Sequence, residues 1–232
     1  APQDTTVLLL GETGTGKEVF AQAIHNASLR TGKPFMALNC SAFGKELLES
    51  EIVGHKAGAF TGAAKDKKGM IEDAHSGTLF CEDRGEFQID LQAKLLRVLE
   101  TNEFIKVGDT KPTKVDVRII AATNRNLQEE VEQGKFREDL FYRINVFAIT
   151  LPPLRDRKKD IPVLAAYFLQ LFAQKTNARI VSMSKGFTER LQHHEWKGNI
   201  RELKNVIERA LILTEGNELT VDSLPLEMQQ LR

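Results

Sequence analysis

Short apolar runs alternate with amphipathic stretches through the first two thirds of the chain. The apolar runs predict strands at Thr6–Leu10, Phe35–Asn39, Thr78–Cys81, Val115–Thr123 and Val146–Leu151. The stretch Lys17–Ser28 predicts a helix, and so does the leucine stripe at Leu91, Leu95, Leu96 and Leu99. Alternation of this kind is typical of a parallel sheet between helices, so we expect an α/β fold.

The pattern changes at the proline pair Pro152-Pro153, which ends regular structure. Beyond it the apolar positions follow helical spacing only. They form two faces, one with Leu164, Tyr167, Phe168, Leu171 and Phe172, the other with Leu203, Val206, Ile207, Ala210 and Leu211. We therefore expect an α/β core over residues 1–152 and a small helical lid domain over residues 153–232.

The composition limits the kinds of partner. Lys plus Arg number 32 and Asp plus Glu number 32 in the 232 residues, so the formal net charge is zero. Non-specific nucleic-acid binding needs a basic surface, and we interpret the chain as a piece of a longer protein whose DNA contacts lie in a domain absent here. Cys40 and Cys81 sit in or beside apolar runs, which favours buried free thiols in a reducing compartment, the cytoplasm. No apolar run reaches the ~20 residues that span a bilayer, so we expect no membrane contact.

A glycine-rich turn follows the first predicted strand and opens the first predicted helix. It consists of Gly11, Glu12, Thr13, Gly14, Thr15, Gly16 and Lys17. Glycines let backbone N–H groups curl around phosphate oxygens, and the helix N-terminus adds positive potential. The spacing predicts a P-loop in which Lys17 reaches the β- and γ-phosphates, with a chance glycine-rich turn as the alternative. Glu18 stands where the common motif has a Ser or Thr on magnesium.

The segment from Gly11 to Glu18 resembles the phosphate loop of NtrC-type AAA+ proteins, the sigma-54-dependent activators, in which a Glu after the Lys is usual. The segment Gly58–Ala63 is similar to the GAFTGA loop of that family without a change. Phe136–Arg143 resembles its arginine-finger segment, and Leu151–Arg155 and Gly198–Leu203 resemble its domain junction and second sensor. The resemblance covers nearly the whole chain and implies a P-loop AAA+ core with a helical lid that uses ATP and Mg²⁺.

The GAFTGA segment has two interpretations. Its residues are Gly58, Ala59, Phe60, Thr61, Gly62 and Ala63. Glycines at both ends predict a mobile loop with Phe60 and Thr61 as an exposed apolar tip, and such a tip marks a partner site. In the family this loop grips sigma-54, which the resemblance implies here. The alternative is an ordinary hairpin tip with Phe60 folded inward.

The third predicted strand leads into two acids in an unusual order. The family has an apolar run, then Asp, then Glu, whereas this chain has Glu82-Asp83 followed by Arg84. By resemblance, Glu82 holds the magnesium and its waters, and Asp83 orients and deprotonates the attacking water. Glu is longer than Asp by about 1.5 Å, magnesium demands near-ideal octahedral geometry, and Arg84 can lower the basicity of either acid. We expect slow turnover rather than none; acids that only solvate a strand end are the alternative.

Other single residues take roles from the resemblance. Asn39 bonds the catalytic acid and couples the nucleotide site to the sigma-54 loop, and Asn124 senses the γ-phosphate. Arg137 and Arg143 are arginine fingers supplied across a subunit interface, since a fixed charge and a forked shape match phosphate oxygens. Arg201, at the start of a helix, points back at the nucleotide. Turn positions for the two Asn and solvated surface positions for the Arg are the alternatives.

The resemblance implies an ATP-hydrolysing motor that forms a hexamer or heptamer and remodels the sigma-54 RNA polymerase holoenzyme to activate transcription, and the P-loop spacing agrees with the ATP-binding part of that expectation. The alternative is a nucleotide-binding oligomerisation module with weak or no turnover, favoured by the order of Glu82 and Asp83. A GTPase is disfavoured because Thr123-Asn124-Arg125-Asn126 does not form a guanine-reading motif. The five histidines show no metal-ligand spacing, and we expect packing or surface roles for them.

Overall fold

A computed structural model describes residues 3–39, 45–83, 88–176, 179 and 182–230. The chain forms two compact units: the first contains Ala1–Gly11 and Lys17–Thr150, and the second contains Glu12–Gly16 and Leu151–Arg232. Five of the seven residues of the glycine-rich turn, Glu12–Gly16, therefore belong with the C-terminal part of the chain, whereas Gly11 and Lys17 at its ends belong with the N-terminal part.

The first unit is built on a parallel sheet. Its described strands are β1 (Val7–Leu10), β2 (Phe35–Asn39), β3 (Gly54–His55), β4 (Lys67–Lys68), β5 (Thr78–Asp83), β6 (Glu103–Phe104), β7 (Thr113–Lys114), β8 (Arg118–Thr123) and β9 (Phe147–Thr150). The five-stranded sheet has the order β2-β5-β8-β1-β9, with every pair parallel. Two short antiparallel ribbons, β3-β4 and β6-β7, stand apart from it. The predicted α/β fold is confirmed.

Helices cover both faces of this sheet. They are α1 (Lys17–Asn26), α2 (Lys45–Val53), α3 (Met70–Asp73), α4 (Ile89–Thr101), α5 (Leu127–Glu132) and α6 (Glu138–Ile144). Side chains alternate between the two faces along a strand. Leu79 and Cys81 share one core cluster with residues of α4 and α6, whereas Phe80 faces the opposite way, toward Phe35. The leucine stripe of α4 packs in the same core cluster as Leu79 and Cys81, as its spacing predicts.

Four of the five predicted strands differ from their predicted bounds. Strand β1 is one residue shorter at its start and β9 is one residue shorter at each end, whereas β5 and β8 differ by more. Strand β5 continues through Glu82 to Asp83, beyond the predicted end at Cys81. Strand β8 begins at Arg118 rather than at Val115, because the N–H of Val115 bonds to the carbonyl of Asn102 at 2.8 Å and so follows the β6-β7 ribbon. An apolar run cannot by itself show which partner its backbone pairs with.

The second unit is mainly helical. It contains α7 (Ile161–Thr176), α8 (Lys185–His193), α9 (Asn199–Leu213), α10 (Leu226–Gln229) and two 3-10 turns, Leu154–Asp156 and Val221–Ser223. The prediction of helices alone was wrong in one respect, since β10 (Ser182–Met183) and β11 (Glu218–Leu219) form a short parallel pair. Trp196 lies fully buried in the core of this unit.

The two predicted apolar faces, on α7 and α9, differ in how well the buried residues match the prediction. All five predicted positions on α9 are buried. On α7 the buried residues are Ile161, Ala165, Phe168, Leu169 and Phe172, and Tyr167, which was predicted to face the core, is 59% exposed. Helix α7 carries apolar residues nearly all round, so its spacing admits more than one stripe, whereas charged residues on α9 leave only one.

In the described part of the chain, no helix combines the length and the apolar character needed to cross a membrane. Among the same residues, no group of three or more His, Cys, Asp or Glu side chains is placed to hold a metal ion. Cys81 is a buried thiol, and Cys40 lies outside the described residues.

Leu203→Ala should destabilise the helical unit by about 2–5 kcal/mol, because it leaves a cavity around a fully buried position. The chain has one tryptophan, Trp196, so denaturant unfolding followed by tryptophan fluorescence reports on this unit. Leu213→Ala on the same helix is the matched control, since Leu213 is 57% exposed and its loss should cost less than about 0.5 kcal/mol. Equal losses in the two variants would contradict the assigned core.

Candidate functional site

Within the first unit, the end of β1 and the start of α1 frame the predicted phosphate loop. Gly11 follows β1, and its N–H donates to the carbonyl of Thr123 at 3.4 Å. Lys17 is the first residue of α1 and is only 4% exposed. Its Nζ donates to the carbonyl of Gly11 at 2.9 Å. The amino group is therefore held at the N-terminus of a helix, where anions bind well.

Parallel pairing brings four strand ends to the same edge of the sheet. Leu10 of β1 lies beside Thr123 of β8, and Thr123 lies beside Asp83 of β5. Glu82 of β5 lies beside Asn39 of β2. Neighbouring strands are about 4.8 Å apart, so the two acids follow the end of β1 at a distance of roughly 10 Å along the sheet. A triphosphate with its metal spans a length of this order.

Glu82 lies on the face of β5 that α1 covers. Thr78, Phe80 and Glu82 alternate onto one face, and Nδ1 of His25 in α1 lies 2.8 Å from the hydroxyl oxygen of Thr78. Glu82 is half-buried, and Asn124 is exposed directly after β8. The side chains of Asn39 and Asp83, and the whole of Arg84, lie outside the described residues.

The residues at this edge of the sheet include the type of ligand that magnesium prefers, a carboxylate. Magnesium in nucleotide sites is held by one or two carboxylates, with water and phosphate oxygens supplying the remaining ligands. Glu82 offers a half-buried carboxylate at the end of a buried strand, on the side of the sheet where Lys17 begins α1. A single carboxylate in this position fits a metal that binds together with its nucleotide.

Within the second unit, the residues of the glycine-rich turn are bonded to the start of α9 and to the turn before α7. Gly14 accepts a hydrogen bond from the N–H of Ile200 at 2.9 Å, and its φ of +81° is in the left-handed region. A Cβ on Gly14 would collide with the carbonyl of Gly198, so only glycine fits. Nη2 of Arg157 donates to the carbonyl of Thr15 at 3.3 Å.

Glu12 is the one acid in this turn, and Arg155 and Asn199 both donate to its carboxylate. Nη1 and Nη2 of Arg155 donate to its two oxygens at 2.9 and 2.6 Å. Nδ2 of Asn199 donates to the same carboxylate at 3.2 Å and to the carbonyl of Thr13 at 3.1 Å. The hydrogen bonds from Arg155, followed by the one from Asn199, lower the pKa of Glu12 to about 2. Glu12 is therefore ionised at all physiological pH values.

Sequence reasoning did not identify the roles of Arg155, Arg157 and Asn199. The side chain of each contacts a turn more than 140 residues earlier in the chain. The spacing of residues along the sequence does not predict contacts over such a separation. Arg201, which was singled out, is exposed near the start of α9, and its N–H donates to the carbonyl of Gly14 at 3.4 Å.

The two arginines of the predicted finger segment differ in their contacts. Arg137, at the N-cap of α6, pairs with both oxygens of Asp139 at 2.9 and 2.8 Å. The hydrogen bond with Asp139 raises the pKa of Arg137. Arg143 lies exposed on α6, and its Nη2 donates to the carbonyl of Leu99 at 2.8 Å. Among the described residues, the acceptor that holds Arg143 is this one neutral carbonyl, so Arg143 is the easier of the two to redirect.

The loop Gly58–Ala63 is closed by its own backbone. The N–H of Gly58 donates to the carbonyl of Ala63 at 2.8 Å, and the N–H of Ala63 donates to the carbonyl of Phe60 at 3.1 Å. The side chain of Phe60 packs edge-on against His55 with the ring centroids 4.9 Å apart, yet Phe60 remains 39% exposed. The side chain of Phe60 is thus partly exposed and lies between the two predicted arrangements, a fully exposed tip and a tip folded inward. Thr61 beside it is exposed.

The base of this loop rests on the β6-β7 ribbon. The N–H of Lys56 donates to the carbonyl of Val107 at 3.0 Å, and a Cβ on Gly108 would lie 2.6 Å from that of Ala59. Oδ1 of Asp66 accepts from the N–H of Ala57 at 2.8 Å, and this bond lowers the pKa of Asp66. The exposed tip is therefore carried on a defined base.

Comparison with protein families gives two matches that together span the chain. The family described as "Sigma-54 interaction domain" matches residues 1–150, and the family described as "AAA+ ATPase lid domain" matches residues 155–232. The Nif-specific regulatory protein of Azotobacter vinelandii is 50% identical over 226 residues, 97% of this chain and 43% of that protein. The regulatory protein AtoC of Escherichia coli is 49% identical over 230 residues, 99% of this chain and 50% of that protein.

Solved structures agree with these matches. The structure of NtrX from Brucella abortus in complex with ADP has a TM-score of 0.90 and 36% sequence identity, covering 98% of this chain and 51% of that one. The complex of the same protein with ATP has a TM-score of 0.89 and 37% identity, covering 98% and 50%. The chain spans between a third and about half of the length of the curated relatives cited and of the DNA-binding transcriptional activator HyfR of Escherichia coli.

Lys17→Ala should abolish ATP binding, because Lys17 is the only lysine in the loop and its charge is fixed at the N-terminus of α1. Isothermal titration with a non-hydrolysable ATP analogue measures the loss. Lys33→Ala, which removes an exposed lysine elsewhere in the same unit, should bind like the parent. Tight binding by a folded Lys17→Ala chain would overturn the assignment of the loop.

Proposed function

Because the chain belongs to the sigma-54 interaction domain family, we propose that it is the ATP-hydrolysing, ring-forming motor domain of a transcription activator that remodels sigma-54 RNA polymerase. The observation that carries the proposal is the common sheet edge at which β1, β8, β5 and β2 end. It supports the proposal because Asn39, Glu82 and Asp83 are the last residues of their strands at this edge and Asn124 directly follows β8. The likeness to an NtrX structure in complex with ATP supports the choice of nucleotide.

The phosphates bind to Lys17 and to backbone N–H groups within the turn from Gly11 to Gly16, other than those of Gly11 and Thr15, which donate to carbonyls of the chain; Glu18 follows the lysine. Glu82 holds the magnesium through water, and the ion supplies charge compensation for the phosphate oxygens. Arg201, near the start of α9, adds a positive charge toward the nucleotide.

Hydrolysis needs a general base and a polar group that contacts the γ-phosphate and so distinguishes ATP from ADP. Asp83 takes the proton of the attacking water, and Asn39 on the neighbouring strand orients the acids, since Asn39 pairs with Glu82 in the sheet. Asn124 follows β8, the strand between β5 and β1, and so lies where a neutral amide can contact the γ-phosphate. A general base typically contributes 10²–10⁴-fold to the rate.

The subunits form a ring of six or seven in which Arg137 and Arg143 reach the nucleotide of the neighbouring subunit. Both arginines belong to the α6 segment, and Arg143 is exposed there. Arginine fingers contribute about 10³–10⁵-fold, so the ring is required for useful turnover. Asp139 must release Arg137 before that side chain can serve as a finger.

The loop Gly58–Ala63 contacts sigma-54, with Phe60 and Thr61 as its exposed tip. Contact with promoter DNA belongs to a domain outside this chain, in agreement with the zero net charge. We assign residues 1–152 to the nucleotide-binding core and residues 153–232 to the lid, and we place the protein in the cytoplasm; the two family matches at 1–150 and 155–232 support that division.

The second candidate function is a nucleotide-binding oligomerisation module with weak or no turnover. It is favoured by the order of Glu82 and Asp83 on β5, which reverses the order expected for a magnesium ligand and a base. Steady-state phosphate release distinguishes the two candidates, since only the motor turns over ATP at a useful rate when it is assembled.

Phe60→Ala or Thr61→Ala should keep ATP hydrolysis and lose sigma-54 binding, because the tip lies on a separate loop with its own base. Co-sedimentation with sigma-54 and phosphate release measure the two properties. Leu29→Ala removes another exposed apolar side chain, 82% exposed after α1, and should change neither. Normal remodelling of sigma-54 by either tip variant would contradict the assigned partner surface.

The double change Glu82→Asp with Asp83→Glu should raise ATP turnover at least about tenfold, which is below the low end of what a well-placed base contributes. Each single change leaves one acid with the wrong reach and should gain less. Arg84→Ile should add to the gain if Arg84 pairs with either acid. The measurement is phosphate release at saturating ATP and magnesium, and equal rates in the parent and the double variant would show that the exchange is neutral.

A further inference from the structure

The glycine-rich turn carries a negative charge where a polyanion is expected to bind. Glu12 lies in the turn whose N–H groups would surround the phosphates, and its low pKa, about 2, keeps it ionised. A carboxylate within a turn of this size lies closer to the phosphates than the screening length of about 8–10 Å in physiological salt. Unless its charge is compensated, Glu12 opposes nucleotide binding.

The structure supplies the compensation from within the unit that contains Glu12. Arg155 meets both oxygens of Glu12 in a paired geometry at 2.9 and 2.6 Å, the arrangement in which a guanidinium binds a carboxylate best. The side chains of both partners are a little under half exposed. Exposed pairs of this kind add little to folding stability, so stability alone gives no reason for the pair.

Asn199 fixes the place of this pair. Its Oδ1 accepts from the N–H of Leu154 at 2.8 Å, and its Nδ2 donates to Glu12 and to the carbonyl of Thr13. Asn199 is fully buried and has a left-handed φ of 53°, a conformation that Asn tolerates better than most residues. One rigid amide thus joins the turn to the residue next to Arg155.

We propose that Arg155 is a positioning residue of the nucleotide site, which cancels the charge of Glu12 and holds its carboxylate against the 3-10 turn Leu154–Asp156, with Asn199 as the second anchor. The ligand class is a nucleoside triphosphate. The inference rests on the proposed binding of ATP by the turn. It assigns the contribution of Arg155 to charge cancellation, which acts through Glu12, rather than to a contact with nucleotide.

Substitutions at both ends of the pair test this assignment. Arg155→Ala should weaken binding of a non-hydrolysable ATP analogue by about three- to tenfold, with a smaller effect on ADP because it carries less charge. Adding Glu12→Gln to Arg155→Ala should restore the affinity to within about twofold of the Glu12→Gln single variant, since no charge is then left to cancel. Arg155→Lys should keep most of the affinity, and the defect of Arg155→Ala should shrink at high salt.

Arg157→Ala is the matched control. It removes another cation that donates to the same turn, at the carbonyl of Thr15, but Arg157 makes no hydrogen bond to Glu12 among the described contacts. Glu12→Gln should therefore not rescue it. The fluorescence of Trp196 and the melting temperature confirm that each variant folds, because Trp196 lies in the same unit.

Three outcomes decide whether Arg155 acts by cancelling the charge of Glu12. Rescue of Arg155→Ala, and not of Arg157→Ala, by Glu12→Gln supports charge cancellation. A folded Arg155→Ala chain that binds the ATP analogue like the parent, or one that Glu12→Gln fails to rescue, overturns it and leaves the proposed function intact. A parent chain that binds no ATP analogue overturns the proposed function, and this inference with it.

Discussion

The parallel register of β1, β8, β5 and β2 is the constraint on which the candidate site depends. Parallel strands end at one edge, so groups far apart in sequence become neighbours without any loop having to carry them there. Lys17 follows one strand end, Asn124 the next, and Glu82 and Asp83 occupy the end of the third. A site built on strand ends is held more rigidly than one built on loops, which is what the placement of a metal ligand and a base requires.

A second constraint is electrostatic. The turn from Glu12 to Gly16 must present donors to an anion, yet it includes a carboxylate and packs with the C-terminal unit. Its backbone carbonyls are bonded by Asn199, Ile200 and Arg157, and its one acid is bonded by Arg155. These bonds engage the carboxylate of Glu12 and the carbonyls of Thr13, Gly14 and Thr15, and the pairing of Glu12 with Arg155 leaves the turn with a net charge that suits a phosphate. The same contacts make the shape of the turn depend on the start of α9.

Much of this structure could be predicted from periodicity. The α/β alternation, the stripe on α4 and the face of α9 follow from apolar spacing alone, because charged residues surround each stripe. The buried face of α7 was predicted imperfectly, since that helix is apolar on several sides. The start of β8 was missed because the apolar run does not show that the backbone of Val115 follows the β6-β7 ribbon. The phosphate turn was visible because its residues are contiguous. The partners Arg155 and Asn199 were not, since their contacts arise only when distant segments fold together.

In the proposed motor, this chain hydrolyses ATP only when neighbouring subunits complete each other's sites. Steady-state phosphate release measured over a wide range of protein concentrations tests it most directly. We predict that turnover per chain is close to zero when the protein is dilute and rises steeply as rings assemble. Turnover per chain that is independent of concentration, or absent at concentrations where a ring is shown by light scattering, would contradict it.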